Sequence, residues 1–329
     1  MAITFKDLYE GYLQFKSTKI KASTISVYRT HLLNHILPAI GDIDLTFGFS
    51  NKQMNTFISY LLDEKGLSKS SARDIKITVT NLLRYGETYH GLPAVPIYIV
   101  DWPSANLDDR NVVQFFTKEE CNKVFEAMNE RPSNILLGIT IGITTGLRIG
   151  EICGLRFSDV DFDEHTLHVR RTLQRVYLPD YEVYKNNLEL VQPQVPIKKE
   201  TKATFLVANK PKTITSNRVI PLSRIAYKWI KRYAVKSPSD SYILTQATGV
   251  CEPRTFRSQY YKEIERLGLP RLNPHCMRHT FATQMLHGKI DVATIADIMG
   301  HSSPSVTLNI YSHTNDREKQ KAINKIFGK

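Results

Sequence analysis

The sequence has no run of the roughly 18–20 continuous apolar residues that a membrane-spanning helix requires, which excludes a helical bilayer protein. Its four cysteines, Cys121, Cys153, Cys251 and Cys276, form no CxxC pair. That excludes the usual zinc-cluster spacing and fits a reducing, cytoplasmic setting. The opening MAITFKDLYEGYL carries Lys6, Asp7 and Glu10 where a secretory signal would be apolar. There is no GxxxxGK(S/T) cradle and no GxGxxG after a strand, so neither common nucleotide-phosphate motif is present. Asp159, Asp161 and Asp163 alternate like the start of a calcium loop. That loop needs Gly at its sixth position and Glu at its twelfth, where Glu164 and Arg170 stand, so the aspartates read as a turn leading into a strand. Internal repeats and low-complexity segments are also missing.

What is present is a globular composition. Of 329 residues, 42% are hydrophobic and 23% charged, enough to bury a core in two domains or one large one. Lys and Arg number 44 against 32 Asp and Glu, a net charge of +12. The surplus is uneven. Residues 1–100 carry 11 basic and 8 acidic side chains, whereas residues 185–236 carry 12 basic ones against only Glu189 and Glu200, a net of +10. Surface lysines often serve solubility alone. Clustering to this degree points instead to neutralising phosphates of a polyanion.

Helical periodicity dominates the first hundred residues. Thr4 with Asp7 opens a first helix, Ser23 or Thr24 a second that Pro38 stops, Ser50 a third ending near Gly66, and Ser68–Ser71 a fourth carrying Ile75, Ile77, Val79, Leu82 and Leu83. This predicts a small helical domain over 1–95, followed by a proline-containing linker over 96–112. A second domain, 113–329, begins with the capping box Thr117-Lys-Glu-Glu120 and an apolar helix from about Ser133 to Thr145. Residues 166–222 alternate like strands (Leu167 and Val169, Phe205 and Val207, Val219 and Pro221), and helical signals return from Tyr227. The expected fold is mainly α with one small antiparallel sheet.

Two C-terminal segments carry the chemistry. In Asn273-Pro-His-Cys-Met-Arg-His279, His275 and Arg278 lie three apart, on one helix face, with Phe281, Ala282, Met285 and Leu286 as a separate buried stripe. His275 and His279 have the i, i+4 spacing of zinc ligands, but no third ligand is near, so no metal site is expected. Further on, Gly300 caps a helix and leaves His301 at a junction, with Tyr311 about three turns beyond.

Together these residues resemble the tyrosine recombinase (phage integrase) family, including integrases of conjugative transposons and phages. The run TTGLRIGEICGLRFSDVD, from Thr144 to Asp161, matches the family's first arginine box and places Arg148 on its first catalytic arginine and Glu151 on the acidic neighbour. Pro211-Lys-Thr-Ile-Thr-Ser-Asn-Arg-Val-Ile-Pro221 matches the strand turn bearing the catalytic lysine, Lys212. His275 and Arg278 match the His-x-x-Arg pair, His301 the next histidine and Tyr311 the nucleophile. The resemblance implies a helical core-binding domain joined to a mixed α/β catalytic domain.

It also implies cleavage and rejoining of DNA strands through a 3′-phosphotyrosyl intermediate and a Holliday junction, integrating or excising a mobile element. No metal or cofactor is expected. The implied partners are paired double-stranded DNA sites, an accessory DNA-bending or excision factor, and three further copies of the chain. The tail helix 316–327, with Ala322, Ile323, Ile326 and Phe327 in one apolar stripe, would dock in such a tetramer. The long segment between Arg171 and Lys212 resembles the β-insertion of these integrases. Such relatives carry an additional arm-binding domain, so the resemblance implies a simpler recombinase or a shortened chain. Two other readings share the fold: a DNA-binding regulator without catalysis, and a topoisomerase IB-like relaxing enzyme. Every one of the six catalytic positions holds the expected residue type, which disfavours the regulator.

Overall fold

The computed structural model describes residues 2–103, 114–177, 188–191, 204–209 and 218–300. Two compact units meet in the sequence near residue 110.

In the first unit, α1 (Phe5–Ser17) starts at the expected capping box, where the Thr4 backbone N–H and hydroxyl both donate to the Asp7 carboxylate. The second helix begins earlier than either Ser23 or Thr24 would place it, as α2 (Ala22–His31) with Lys21 at its N-cap. Pro38 does not stop it. A π-helical turn over Leu32–Ile36 leads into α3 (Leu37–Ile40), with the Leu37 N–H bonded to the Leu32 carbonyl five residues back. The wider turn makes room for the ring, and Pro38 then occupies a first-turn position whose N–H needs no helical partner. Helix α4 (Asn51–Ser59) starts at Ser50 and passes into a second π turn, Tyr60–Glu64. Helix α5 (Lys69–His90) starts at Ser68 and ends at the left-handed Gly91. Phe5, Leu8, Tyr12, Leu32, Met54, Leu61, Val79 and Leu82 are buried at its centre, whereas Ile77 is half exposed.

The segment expected to begin a linker at residue 96 extends this unit. Tyr98 is buried with its hydroxyl donating to the Phe49 carbonyl at 2.9 Å. The Asn51 and Asn55 side chains bond the Ile99 backbone N–H and carbonyl at 2.9 and 3.0 Å, supplying the pairing that a segment without secondary structure otherwise lacks.

The second unit is built round α7 (Asn134–Thr145), which packs against α6 (Lys118–Glu130), α8 (Ile149–Gly154), α9 (Arg224–Ala234), α10 (Pro253–Arg266) and α11 (Cys276–His287). Thr117 and Ser133 cap α6 and α7 as their spacing predicts. Every residue from Leu136 to Ile143 is buried, the mark of a helix enclosed on all sides. A short helix, α12 (Val292–Met299), ends at the left-handed Gly300.

Among the described residues the strands form two three-stranded sheets rather than one. Strands β1 (Val160–Asp161), β2 (Thr166–Val169) and β6 (Arg218–Pro221) lie in the order β1-β2-β6, with Leu167 opposite Ile220 and Val169 opposite Arg218. Strands β3 (Thr172–Tyr177), β4 (Leu188–Leu190) and β5 (Thr204–Asn209) form the other, in the order β3-β5-β4. Asp161 makes the expected turn, accepting from the Asp163 and Glu164 amides at 3.0 and 2.9 Å. In β6 the faces depart from simple apolar alternation: Val219 is 52% exposed, and Arg218 turns inward beside Ile220.

Candidate active site

The site forms where α7, α8, α11 and α12 end or begin. Left-handed Gly146 terminates α7, and two residues later Arg148 becomes the N-cap of α8. Its backbone N–H donates to Glu151 Oε2 at 2.9 Å and its Nη1 to Glu151 Oε1 at 3.2 Å. The Arg148 side chain is 46% exposed and that of Glu151 only 9%. A buried carboxylate thus orients a guanidinium that still faces outward.

Glu151 is also held from behind. Arg218 donates from Nη1 to Oε1 at 3.2 Å and from Nη2 to Oε2 at 3.0 Å. Burial by itself would raise the Glu151 pKa; the bonds and charge of Arg218, followed by those of Arg148, outweigh it and hold the carboxyl below its ordinary value. This arginine escapes sequence reasoning, which assigns it to a basic, phosphate-gripping stretch. The available signal is its place in β6, in register with the buried Val169.

On the opposite side, His275 is the N-cap residue of α11 and remains exposed, its backbone N–H bonded to Asn273 Oδ1 at 2.9 Å. Arg278, three residues on, is only 2% exposed. Its Nη1 donates to the Gly146 carbonyl at 2.7 Å and its Nη2 to the Met299 carbonyl at 2.8 Å, so one guanidinium ties the end of α7 to the end of α12. Desolvation, then the positive charges of Arg278 and Arg148, keep His275 below the ordinary histidine pKa. An imidazole in that state is neutral near pH 7 and can accept a proton. Its neighbour His279, ring centroids 4.9 Å apart, is pushed down to about 4 by desolvation, His275 and Arg278.

Of the six residues singled out by sequence, the structure therefore brings Arg148, His275 and Arg278 into one electrostatic neighbourhood. Lys212, His301 and Tyr311 lie outside the described residues, as does the tail 316–327. Gly300, directly before His301 in sequence, sits against the Arg218 guanidinium: a Cβ added there would stand 3.1 Å from Arg218 Nη1. Exposed cations continue along α9, where Arg224, Lys228, Lys231 and Arg232 are all accessible. Among the described residues, no group of three or more His, Cys, Asp or Glu side chains could hold a metal ion, and no helix is long and apolar enough to cross a membrane.

Comparison with known proteins identifies the family and the fold. Residues 114–318 match the phage integrase family, and residues 4–62 match the phage integrase N-terminal SAM-like domain. A tyrosine recombinase XerC-like protein of Caldanaerobacter subterraneus subsp. tengcongensis is 23% identical over 96% of this chain and 75% of its own. The Tn1549 transposon integrase in complex with transposon right end DNA superposes with a TM-score of 0.76 at 19% identity, covering 98% of this chain and 99% of that one. The lambda integrase tetramer bound to a Holliday junction gives 0.64 at 14% identity, covering 96% of this chain and 78% of that one. The chain belongs to the phage integrase family and is a tyrosine-type site-specific recombinase, an enzyme that breaks and rejoins DNA strands.

Proposed function

We propose that Tyr311 is the nucleophile and that Arg148, Lys212, His275, Arg278 and His301 complete the catalytic set. The tyrosine oxygen attacks the scissile phosphorus, a 3′-phosphotyrosyl bond forms, and the bond to the 5′-oxygen breaks. Phenolic oxygen, with an ordinary pKa of about 10, needs a base to take its proton; neutral His275 fills that role. Negative charge builds on the non-bridging oxygens, where Arg148 and Arg278 supply permanently charged, forked donors and His301 a further hydrogen bond. Lys212 delivers the proton that the leaving 5′-oxygen requires. Because the phosphotyrosyl bond conserves the energy of the broken one, a 5′-hydroxyl from a second site can reverse the step and join a new partner.

The observation that carries this reading is the convergence of Arg148, His275 and Arg278 at the ends of α7, α8 and α11, with both arginine charges acting on one imidazole. The biological outcome would be integration or excision of a mobile element by a tetramer on paired sites, through a Holliday junction, with the 316–327 tail packing between copies and an accessory DNA-bending or excision factor setting direction. The work would take place on the bacterial nucleoid in the cytoplasm. The +10 stretch over 185–236 would supply non-specific grip on the DNA backbone.

A nicked suicide substrate tests the assignment. Wild type is expected to accumulate a covalent protein–DNA adduct, and Tyr311→Phe none. An adduct formed by Tyr311→Phe would overturn the nucleophile; no adduct from wild type on its cognate site would favour a regulator without catalysis.

A further inference from the structure

Within the basic stretch, Arg218 behaves unlike its neighbours. It is 8% exposed, and among the described residues its side chain bonds both Glu151 oxygens, and the Ile298 carbonyl from Nε at 2.8 Å. It therefore joins β6, α8 and the last turn of α12. Its Nε and both terminal nitrogens are engaged and its charge is met by the Glu151 carboxylate, so that charge serves something inside the protein.

That something is the second claim on Glu151. Oε1 accepts from Arg148 Nη1 and Arg218 Nη1 at the same 3.2 Å, while Oε2 takes the Arg148 backbone N–H at 2.9 Å and Arg218 Nη2 at 3.0 Å. A buried carboxylate demands a counter-charge, because an unpaired ion in a desolvated site is far costlier than a paired one. If Arg218 were neutral, the other guanidinium bonded to Glu151 among the described residues would be that of Arg148. The forked, two-bond geometry of Arg218 satisfies the carboxylate and leaves Arg148 with a single side-chain bond to it and nearly half of its side chain accessible.

We infer that Arg218 is a positioning residue: by neutralising Glu151 it releases the Arg148 guanidinium for the scissile phosphate. The inference rests on the proposed role of Arg148 at that phosphate. It extends to the other side of the site, because the same guanidinium bonds the end of α12 and lies under Gly300, the residue before His301.

A charge-specific test separates this role from simple support of the fold. Single-turnover cleavage is compared on a normal scissile phosphate and on a methylphosphonate, in which a methyl group replaces one charged non-bridging oxygen. Arg218→Gln is expected to slow cleavage of the normal phosphate by about 10- to 100-fold at unchanged DNA affinity. Most of that deficit should vanish on the methylphosphonate, which makes less demand on Arg148. Arg218→Lys, which keeps the charge, should recover most of the rate. An equal deficit on both substrates, or no deficit, overturns the inference while leaving the tyrosine chemistry intact. Should Arg218→Gln not fold, the double change Glu151→Gln with Arg218→Gln removes both buried charges together. Because Arg218 acts through Glu151, the double change is expected to cleave the normal phosphate no more slowly than Glu151→Gln alone, and a further deficit equal on both substrates would again overturn the inference. Failure of wild type to form any adduct removes the proposed function, and this inference with it.

Discussion

Arg278 donates to the Met299 carbonyl at 2.8 Å, two positions ahead of His301 in the chain. The same guanidinium holds the Gly146 carbonyl, two positions ahead of Arg148. One buried cation thus spaces the two turns from which candidate catalytic side chains depart. Lysine cannot reproduce this, since a single ammonium lacks the planar fork that reaches two carbonyls at once. Arg278→Ala is expected to leave both carbonyls unpaired and to lower stability by about 2–4 kcal/mol. Cleavage should fall by about 100-fold or more. Arg278→Lys should recover more stability than activity. Thermal unfolding and single-turnover cleavage measure the two separately, and a fully active Arg278→Lys would contradict the bridging role.

Acid should weaken the protein through His279. Its native pKa, about 4, lies below the ordinary value of 6.5, so in the intervening range the unfolded chain binds a proton that the native one refuses. Stability therefore falls as pH drops from about 6.5 toward 4, by about 1–3 kcal/mol once solvent screening is allowed for. In His279→Gln the dependence of Tm on pH across that window should flatten. An unchanged slope would place the acid sensitivity elsewhere.

Gly300 is left-handed, with φ of +66°, and has the Arg218 guanidinium where a side chain would begin. Gly300→Ala incurs both backbone strain and that contact, together about 1–3 kcal/mol. Because the displaced group is Arg218, cleavage should slow along with the loss of stability. Differential scanning calorimetry and the suicide-substrate assay give the two readings; a stable, fully active variant would show that the turn tolerates a side chain.

The acid role proposed for Lys212 predicts a chemical rescue. A thiolate leaves without protonation, so a substrate with sulfur in place of the scissile 5′-oxygen should restore cleavage by Lys212→Ala. Equal impairment on oxygen and sulfur substrates would remove Lys212 from that step.

Much of this architecture is legible in the chain because it is local. Thr4, Ser50, Ser68, Thr117 and Ser133 each stand immediately before a helix start, and glycine announces helix ends at Gly146 and Gly300. What local reasoning misses is settled at a distance. The π turn that lets the chain run through Pro38 depends on packing round Leu32 and Ile36, both fully buried. The inward face of β6 depends on an acid 67 residues earlier, since only a partner such as Glu151 makes burial of Arg218 tolerable. Periodicity likewise marks residues 166–222 as strand-forming without revealing that they divide into two sheets, because strand partners are chosen across long intervals.

The enclosure of α7 also bears on the order in which the molecule comes apart. Its amides face no solvent along any side from Leu136 to Ile143, so local fraying offers them no route to exchange with deuterated water. They should exchange last in the second unit, on the timescale of complete unfolding. Arg148 hangs three residues beyond the end of this helix, and so its starting point should hold still while the DNA is cut, moved and resealed.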